Sequence, residues 1–258
     1  MSSILFEIKD NVGIIRLNRP SVFNSFNREM ALECQARLDE CENNDEVRAI
    51  YIIGEGKAFC AGQDLQEVTD PDGPELTTIV GEHYNPIIER LRNIEKPIVG
   101  AVNGVAAGAG ANIALACDIC VAHEAANFIQ AFSKIGLIPD SGGTFFLPRL
   151  IGFQKASALM MLGDKVSAAE AEQLGMIYKC FSTESFEEES YKIAVKLAKM
   201  PTKGLGLTKR ALNLSMISDL TTQLKTEEEL QTIAGGTFDY NEGVGAFLEK
   251  RKPVFKGE

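Results

Sequence analysis

The chain has no tryptophan, only two histidines (His83 and His123), and too little positive charge: 26 Lys and Arg stand against 36 Asp and Glu, a formal net charge of −10 over 258 residues. Each shortage excludes something. Without tryptophan one common platform for stacked bases is gone, and without a basic excess no global field draws the chain to nucleic acid or anionic lipid. Neither histidine has a neighbouring Asp with Ser or Cys in a recognisable catalytic arrangement, which argues against a hydrolytic triad. The six cysteines (Cys34, Cys41, Cys60, Cys117, Cys120, Cys180) are too dispersed for the disulfide framework of a small secreted domain, so a reducing cytoplasmic compartment is expected. Cys117-Asp-Ile-Cys120 has the spacing of a redox or zinc pair, but a second ligand pair is missing, and no metal is expected. The first ten residues lack the basic stretch and long apolar core of a signal peptide and the Arg-rich pattern of a transit peptide, so the fold is expected to begin with the chain. One nearly apolar run, Val105 to Ala122, is broken by Asn112 and Asp118. A spanning helix needs about 20 predominantly apolar residues and tolerates a central carboxylate poorly, so no membrane span is expected.

What is present is an ordinary globular composition, 45% hydrophobic and 24% charged, sufficient for one large core or two unequal lobes. Ile4 to Ile8 and Val12 to Leu17 read as a hairpin turned by Asp10-Asn11. Arg28 to Asn43 puts Met30, Cys34, Leu38 and Cys41 on one helical face behind Asn27 as N-cap. Ala49 to Ile53 and Pro97 to Val102 are apolar runs suited to strands buried on both faces. Between them Pro86 to Arg92 reads as a helix, with Asn85 as its cap and Pro86 at its first position. Strand, helix, strand in this order implies parallel pairing through crossovers, hence an α/β fold. Thr69 to Glu75 is a loop by composition. After about Pro148 the pattern turns helical: a capping box at Ser167-Ala-Ala-Glu170 opens a helix ending near Gly175, and Ser185 to Met200, Lys203 to Met216, Leu220 to Ile233 and Glu242 to Lys250 follow.

Three segments carry candidate chemistry. In Phe59-Cys60-Ala61-Gly62-Gln63-Asp64-Leu65, small residues beside Gly62 let a backbone N–H face a ligand, although a tight turn explains the same residues. Gly104 to Asn112 follows a strand and opens a helix, whose free N–H groups bind phosphates or developing oxyanions. Its Gly108-Ala-Gly110 lacks the third glycine of a dinucleotide fingerprint, since position 113 is Ile, and no ribose-binding acid follows at the expected distance. In the third, Lys134 to Thr144, Asp140 suits either a helix cap or a general base in an apolar pocket.

Together these segments resemble, in order and spacing, the enoyl-CoA hydratase/isomerase (crotonase) superfamily. Leu17-Asn-Arg-Pro20, Ala101-Val-Asn-Gly104, Ser167-Ala-Ala-Glu-Ala171 and Glu242-Gly-x-x-Ala246-Phe247 extend the resemblance end to end. It implies a crotonase-like spiral of repeated ββα turns over residues 1–200, a helical oligomerisation region over 201–258 that builds trimers or hexamers, and a coenzyme A thioester as substrate, with no separate cofactor and no nucleic-acid partner. It also implies an oxyanion hole from the backbone N–H groups of Gln63 and Ala109. Phe23, Lys57, Ala58, Ala61, Asp64, Leu65 and Phe132 would lie along the substrate, and Lys250 would reach a CoA phosphate from its own or a neighbouring subunit. A basic cluster on a solvated terminal helix is the alternative reading of Lys250, and turn capping that of Asp64.

The acid/base positions discriminate further. Hydratases of the superfamily use two glutamates, and the matching positions here are Asn112 and Phe132, neither of which ionises. Asp140 is the remaining carboxylate. One base suits proton relocation on an enolate held in an oxyanion hole. The stretches Gly104 to Asn112, Ala131 to Thr144 and Gly204-Leu-Gly-Leu207 resemble the ring-epoxide isomerase branch of phenylacetate degradation. That branch converts 1,2-epoxyphenylacetyl-CoA to its oxepin isomer and moves a cis-3 double bond to position 2. The rival expectations are an enoyl-CoA hydratase of fatty-acid oxidation and a noncatalytic member binding CoA esters or RNA.

Overall fold

The opening hairpin forms as its residues dictate. Strands β1 (Ile4–Lys9) and β2 (Val12–Leu17) pair antiparallel with Ile4 opposite Leu17. Asp10 and Asn11 between them take φ of 54° and 60°, the left-handed pair whose twist suits a two-residue hairpin. The computed structural model describes residues 2–258. The helix Arg28–Asn43 has the expected bounds, and Asn27 accepts the Met30 N–H at 3.0 Å as its cap.

Eight further strands follow: β3 (Ala49–Gly54), β4 (Ala58–Cys60), β5 (Ile98–Val102), β6 (Val105–Ala107), β7 (Ile119–His123), β8 (Asn127–Ile129), β9 (Lys165–Ser167) and β10 (Lys179–Phe181). They form a six-stranded sheet ordered β1-β2-β3-β5-β7-β10 and a four-stranded sheet ordered β4-β6-β8-β9. In each of the pairs β3-β4, β5-β6 and β7-β8 the first strand joins the larger sheet and the second the smaller; helical chain leads back to the larger sheet after β4 and β6, and after β8 it leads first to β9 of the smaller sheet. The result is a spiral of ββα turns. Strands β2, β3, β5, β7 and β10 run parallel, as do β4, β6 and β8. Every residue of β3 and β5 is buried, as expected for parallel strands covered on both faces.

Two local expectations are corrected. Asn85 is not a cap: it lies inside a helical stretch running from Leu76 through a π-type segment, Ile79–Tyr84, into the helix Asn85–Asn93. Pro86 lacks the N–H that would serve the Glu82 carbonyl. Gln35 Nε2 donates to that carbonyl instead, at 2.8 Å, so the helix passes through the proline. The segment after β5 also does not run directly into a helix, because β6 intervenes before Ala109–Ala116. That helix is eight residues long and wholly buried, and no helix among the described residues is long and apolar enough to cross a membrane.

The C-terminal half is helical as read, with an additional helix, Phe153–Leu162, that the sequence did not announce. The capping box forms, Ser167 Oγ accepting the Glu170 N–H at 3.2 Å. Helix Phe186–Ala198 covers the outer face of the larger sheet, where Tyr51 and Ser190 hydroxyls meet at 2.8 Å. Helices Thr202–Ser215, Leu220–Gly235 and Phe238–Leu248 complete the chain. Asp118 ties the first of these to the spiral, with Arg92 at 3.0 Å and the buried Lys209 at 2.8 Å.

Candidate functional site

Two unspent amides meet where the sheets' strands end. Beyond β4, Phe26 N–H donates to the Gly62 carbonyl and Asp64 N–H to the Phe26 carbonyl, both at 2.8 Å. This bridge flanks Gln63 and leaves its own N–H free. Beyond β6, Gly108 adopts φ 53° and ψ −129°, a conformation open to glycine, and its N–H is fixed on the Ile129 carbonyl at 2.9 Å. Ala109 then begins a helix, so its N–H is one of the orphan donors of a helix N-terminus. Neither amide has an acceptor among the described residues. A Cβ added to Gly62 would lie 3.6 Å from the Ala109 nitrogen, and one added to Gly110 would lie 2.3 Å from the Cys60 carbonyl oxygen. Missing side chains at both positions let the two loops approach.

Asp140 lies in the loop before the helix Gly143–Ile151. It does not cap that helix with its side chain: Gly142, at φ 71°, is the N-cap residue. The carboxylate instead accepts the Ser141 hydroxyl at 2.8 Å. Burial pushes its pKa above the ordinary aspartate value, against the opposing pull of the Ser141 hydroxyl and its own backbone N–H. The Asp140 carbonyl accepts Gly143 N–H at 2.9 Å and Asn112 Nδ2 at 2.8 Å. Asn112 stands one turn along the helix that Ala109 opens, so Asp140 and the Ala109 N–H share a rigid support. Phe132 is buried with its ring edge 3.7 Å from where a Gly108 Cβ would be. Position 112 thus holds an amide engaged in hydrogen bonds and position 132 a buried aromatic ring.

The other expected substrate contacts gather around β4. Ala61 N–H donates to the Phe23 carbonyl at 3.0 Å, and the Ala58 carbonyl accepts Asn24 Nδ2 at 2.8 Å and Asn103 Nδ2 at 3.3 Å. Lys57 is exposed beside them, as are Phe23 and Leu65. Asp64 is buried and engaged, pairing with Arg19 at 2.8 Å and capping the helix Leu65–Thr69 through Gln66 N–H at 3.0 Å. Lys250 occupies the turn after the last helix, and no hydrogen bond or ion pair of its side chain ties it to these loops among the described residues.

Tyr84 was not legible as a site residue. Fully buried, it donates its hydroxyl to Gln63 Oε1 at 2.9 Å, and Gln63 Nε2 donates to Glu67 at 2.8 Å. The oxyanion residue is held from its side chain as well as its backbone. Burial raises the Tyr84 phenol well above its usual range, and the nearby charges of Asp140, Glu67 and Asp64 add to this, so the hydroxyl remains a donor. Burial also pushes the Cys60 thiol up to about 12, which leaves it inert as a nucleophile. The chemistry available is therefore stabilisation of a developing oxyanion by two main-chain donors, with proton transfer by one carboxyl group.

Comparison with known proteins identifies the family. Residues 7–258 match the enoyl-CoA hydratase/isomerase family model. The chain is 45% identical to the 1,2-epoxyphenylacetyl-CoA isomerase of Escherichia coli K12, with both chains fully covered. It is 40% identical to a protein designated probable enoyl-CoA hydratase from Rhodobacter capsulatus, covering 99% of this chain and 98% of the other. The crystal structure of enoyl-CoA hydratase from Bacillus anthracis superposes with a TM-score of 0.92 at 32% identity, covering 99% of this chain and all of that one. The chain belongs to the enoyl-CoA hydratase/isomerase family and has its crotonase-like fold.

Proposed function

We propose that this family enzyme is an acyl-CoA isomerase, converting 1,2-epoxyphenylacetyl-CoA to oxepin-CoA and shifting 3-enoyl thioesters to the conjugated 2-enoyl form. One observation carries the reading: Asp140 is hydrogen-bonded through its carbonyl to Asn112 on the helix that Ala109 opens, and Asn112 and Phe132, the positions that the resemblance matches to the hydratase glutamates, do not ionise. The 45% identity to an epoxyphenylacetyl-CoA isomerase supports it.

On a 3-enoyl thioester, Asp140 breaks a C2–H bond and takes the proton, which exchanges with solvent while the enolate is held. The electron pair spreads from C2 to C4 and onto the thioester oxygen, where the Gln63 and Ala109 N–H groups stabilise it. Each such donor is typically worth about 3 to 4 kcal/mol in the transition state. Asp140 then returns a proton to C4, leaving the double bond between C2 and C3. With the aryl epoxide, the ring carbon–carbon bond under the epoxide opens to the seven-membered ring, Asp140 takes the proton beside the thioester, and as the electron pair forms a double bond from that carbon to the ring, Asp140 returns a proton to the neighbouring ring carbon. Mass is unchanged in both. Phe23, Lys57, Ala58, Ala61 and Leu65 line the approach of the CoA thioester, with Phe132 against the acyl group. No cofactor beyond the substrate's own coenzyme A takes part.

The oligomer is a homotrimer or a dimer of trimers built through the C-terminal helices. Ile217, Leu220, Phe247 and Leu248 are each at least 73% exposed there, an apolar surface suited to self-association, and Lys250 would reach a CoA phosphate from its own or a neighbouring subunit.

The test is a panel of CoA thioesters, including the aryl epoxide, a 3-enoyl chain and crotonyl-CoA, followed by mass spectrometry. Mass-neutral products with the first two and negligible 3-hydroxybutyryl-CoA from the third are expected. Efficient hydration of crotonyl-CoA would reverse the assignment.

A further inference from the structure

Asp140 is held through a polar relay that the reaction itself does not require. Its carbonyl oxygen can only accept hydrogen bonds, so the Asn112 amide must present Nδ2 to it, which it does at 2.8 Å. Asn112 Oδ1 then faces the other way and needs a donor. Gln130 Nε2 supplies one at 2.8 Å. Both side chains are buried, at 1% and 3% exposure, so water does not compete for either. The polarity of the whole relay is thus fixed from its Asp140 end. Gln130 Oε1 is buried without a partner among the described residues, a standing cost to stability that fits a side chain kept for the direction of its donor. Gly143 admits the arrangement: a Cβ there would lie 2.4 Å from Asn112 Nδ2, so a side chain at 143 would displace the amide.

The origin of the relay matters. Gln130 immediately follows β8, and the preceding carbonyl, Ile129, holds the Gly108 N–H at 2.9 Å, one residue before the Ala109 oxyanion donor. One strand end therefore sets both the oxyanion amide, through its backbone, and the proton-handling carboxyl, through Gln130 and Asn112. We infer that Gln130 and Asn112 are positioning residues that fix Asp140 relative to the Ala109 N–H, and that position 112 requires an amide rather than a carboxylate because the Asp140 carbonyl, already holding the Gly143 N–H, takes its second hydrogen bond from the Asn112 Nδ2, which a carboxylate cannot donate. This rests on the proposed role of Asp140 as the proton-transfer group.

The experiment compares wild type with Gln130→Glu, Gln130→Met, Asn112→Asp and Asp140→Asn, using a 3-enoyl-CoA in D2O to read deuterium incorporation, kcat and KM, with thermal unfolding on each. Gln130→Glu and Asn112→Asp keep size but remove the donor each position supplies. Both are expected to lower kcat at least tenfold while KM stays within threefold. Gln130→Met, which cannot donate but adds no charge, is expected to fall in the same direction and carries the test if the charged variants do not fold. A kcat within twofold of wild type in a folded Gln130→Met variant, or a loss confined to KM, overturns the relay. Deuterium incorporation that persists in Asp140→Asn overturns the underlying role of Asp140 instead, so the two failures are separable.

Discussion

Asp140 is costly to keep where it is, and the direction of that cost is measurable. Burial raises its folded pKa above the usual 3.8, so in the interval just above that value the folded chain holds a proton that the unfolded chain has released. Its contribution to stability is full below the unfolded value and is lost as pH rises through the folded one. Replacement by Asn, which can still accept the Ser141 hydroxyl, removes that burden. Asp140→Asn is therefore expected to raise Tm at pH 7, with the gap narrowing as the pH is lowered, while proton exchange is abolished and CoA-ester affinity stays within a few fold. A Tm below that of wild type at pH 7 would contradict the sign. The same raised pKa moves the rising limb of the kcat/KM profile upward from the ordinary aspartate value, since the base works ionised. Ala109→Pro tests the other side of the reaction. Proline is tolerated at the first position of a helix but has no N–H, so a loss of about 10²- to 10³-fold in kcat is expected from the missing donor. Unchanged turnover would remove Ala109 from the oxyanion hole.

At the scale of elements, the site depends on how closely the helix Ala109–Ala116 seats on the end of β4. Gly110→Ala would place a methyl 2.3 Å from the Cys60 carbonyl oxygen and 2.7 Å from its Cβ and Sγ. Backbone has little room to yield, so the helix must shift and take the Ala109 amide with it. A stability loss of about 1 to 3 kcal/mol, typical of overpacking, is expected by chemical denaturation together with a fall in kcat. Full activity in this variant would show that the approach of helix and strand is not what brings the two amides together. By contrast Asp219→Ala, which removes the cap of the helix Leu220–Gly235, should cost about 1 kcal/mol and leave kcat unchanged. Elements of this kind were legible because their signals are local: Asp10-Asn11 turns a hairpin, Asn27 caps a helix, Ser167 and Glu170 form a box. Asn85 misled because the proline after it looks like a helix start, and only Gln35, fifty residues earlier, shows how the Glu82 carbonyl is satisfied within a continuing helix. Short strands such as β6, three residues long, carry too little periodicity to be read at all.

At the scale of the whole molecule, an order-and-spacing resemblance identified the fold and marked Gln63, Ala109 and Asp140, but it could not show what holds them. Tyr84 against Gln63, and Gln130 through Asn112 against Asp140, are pairings between distant parts of the chain with no spacing rule to announce them. The exposed apolar faces of the last three helices belong to this scale too. Sedimentation analysis is expected to give a trimer or hexamer, and a monomer at micromolar concentration would refute the proposed assembly. The central claim, that one carboxyl facing two main-chain amides moves protons without adding water, is tested most directly by incubating the enzyme with a 3-enoyl-CoA in D2O and weighing the product. The account predicts a 2-enoyl isomer whose mass exceeds that of the substrate only by incorporated deuterium, and no such product from Asp140→Asn. A product heavier by a molecule of water, or an unimpaired Asp140→Asn enzyme, would contradict it.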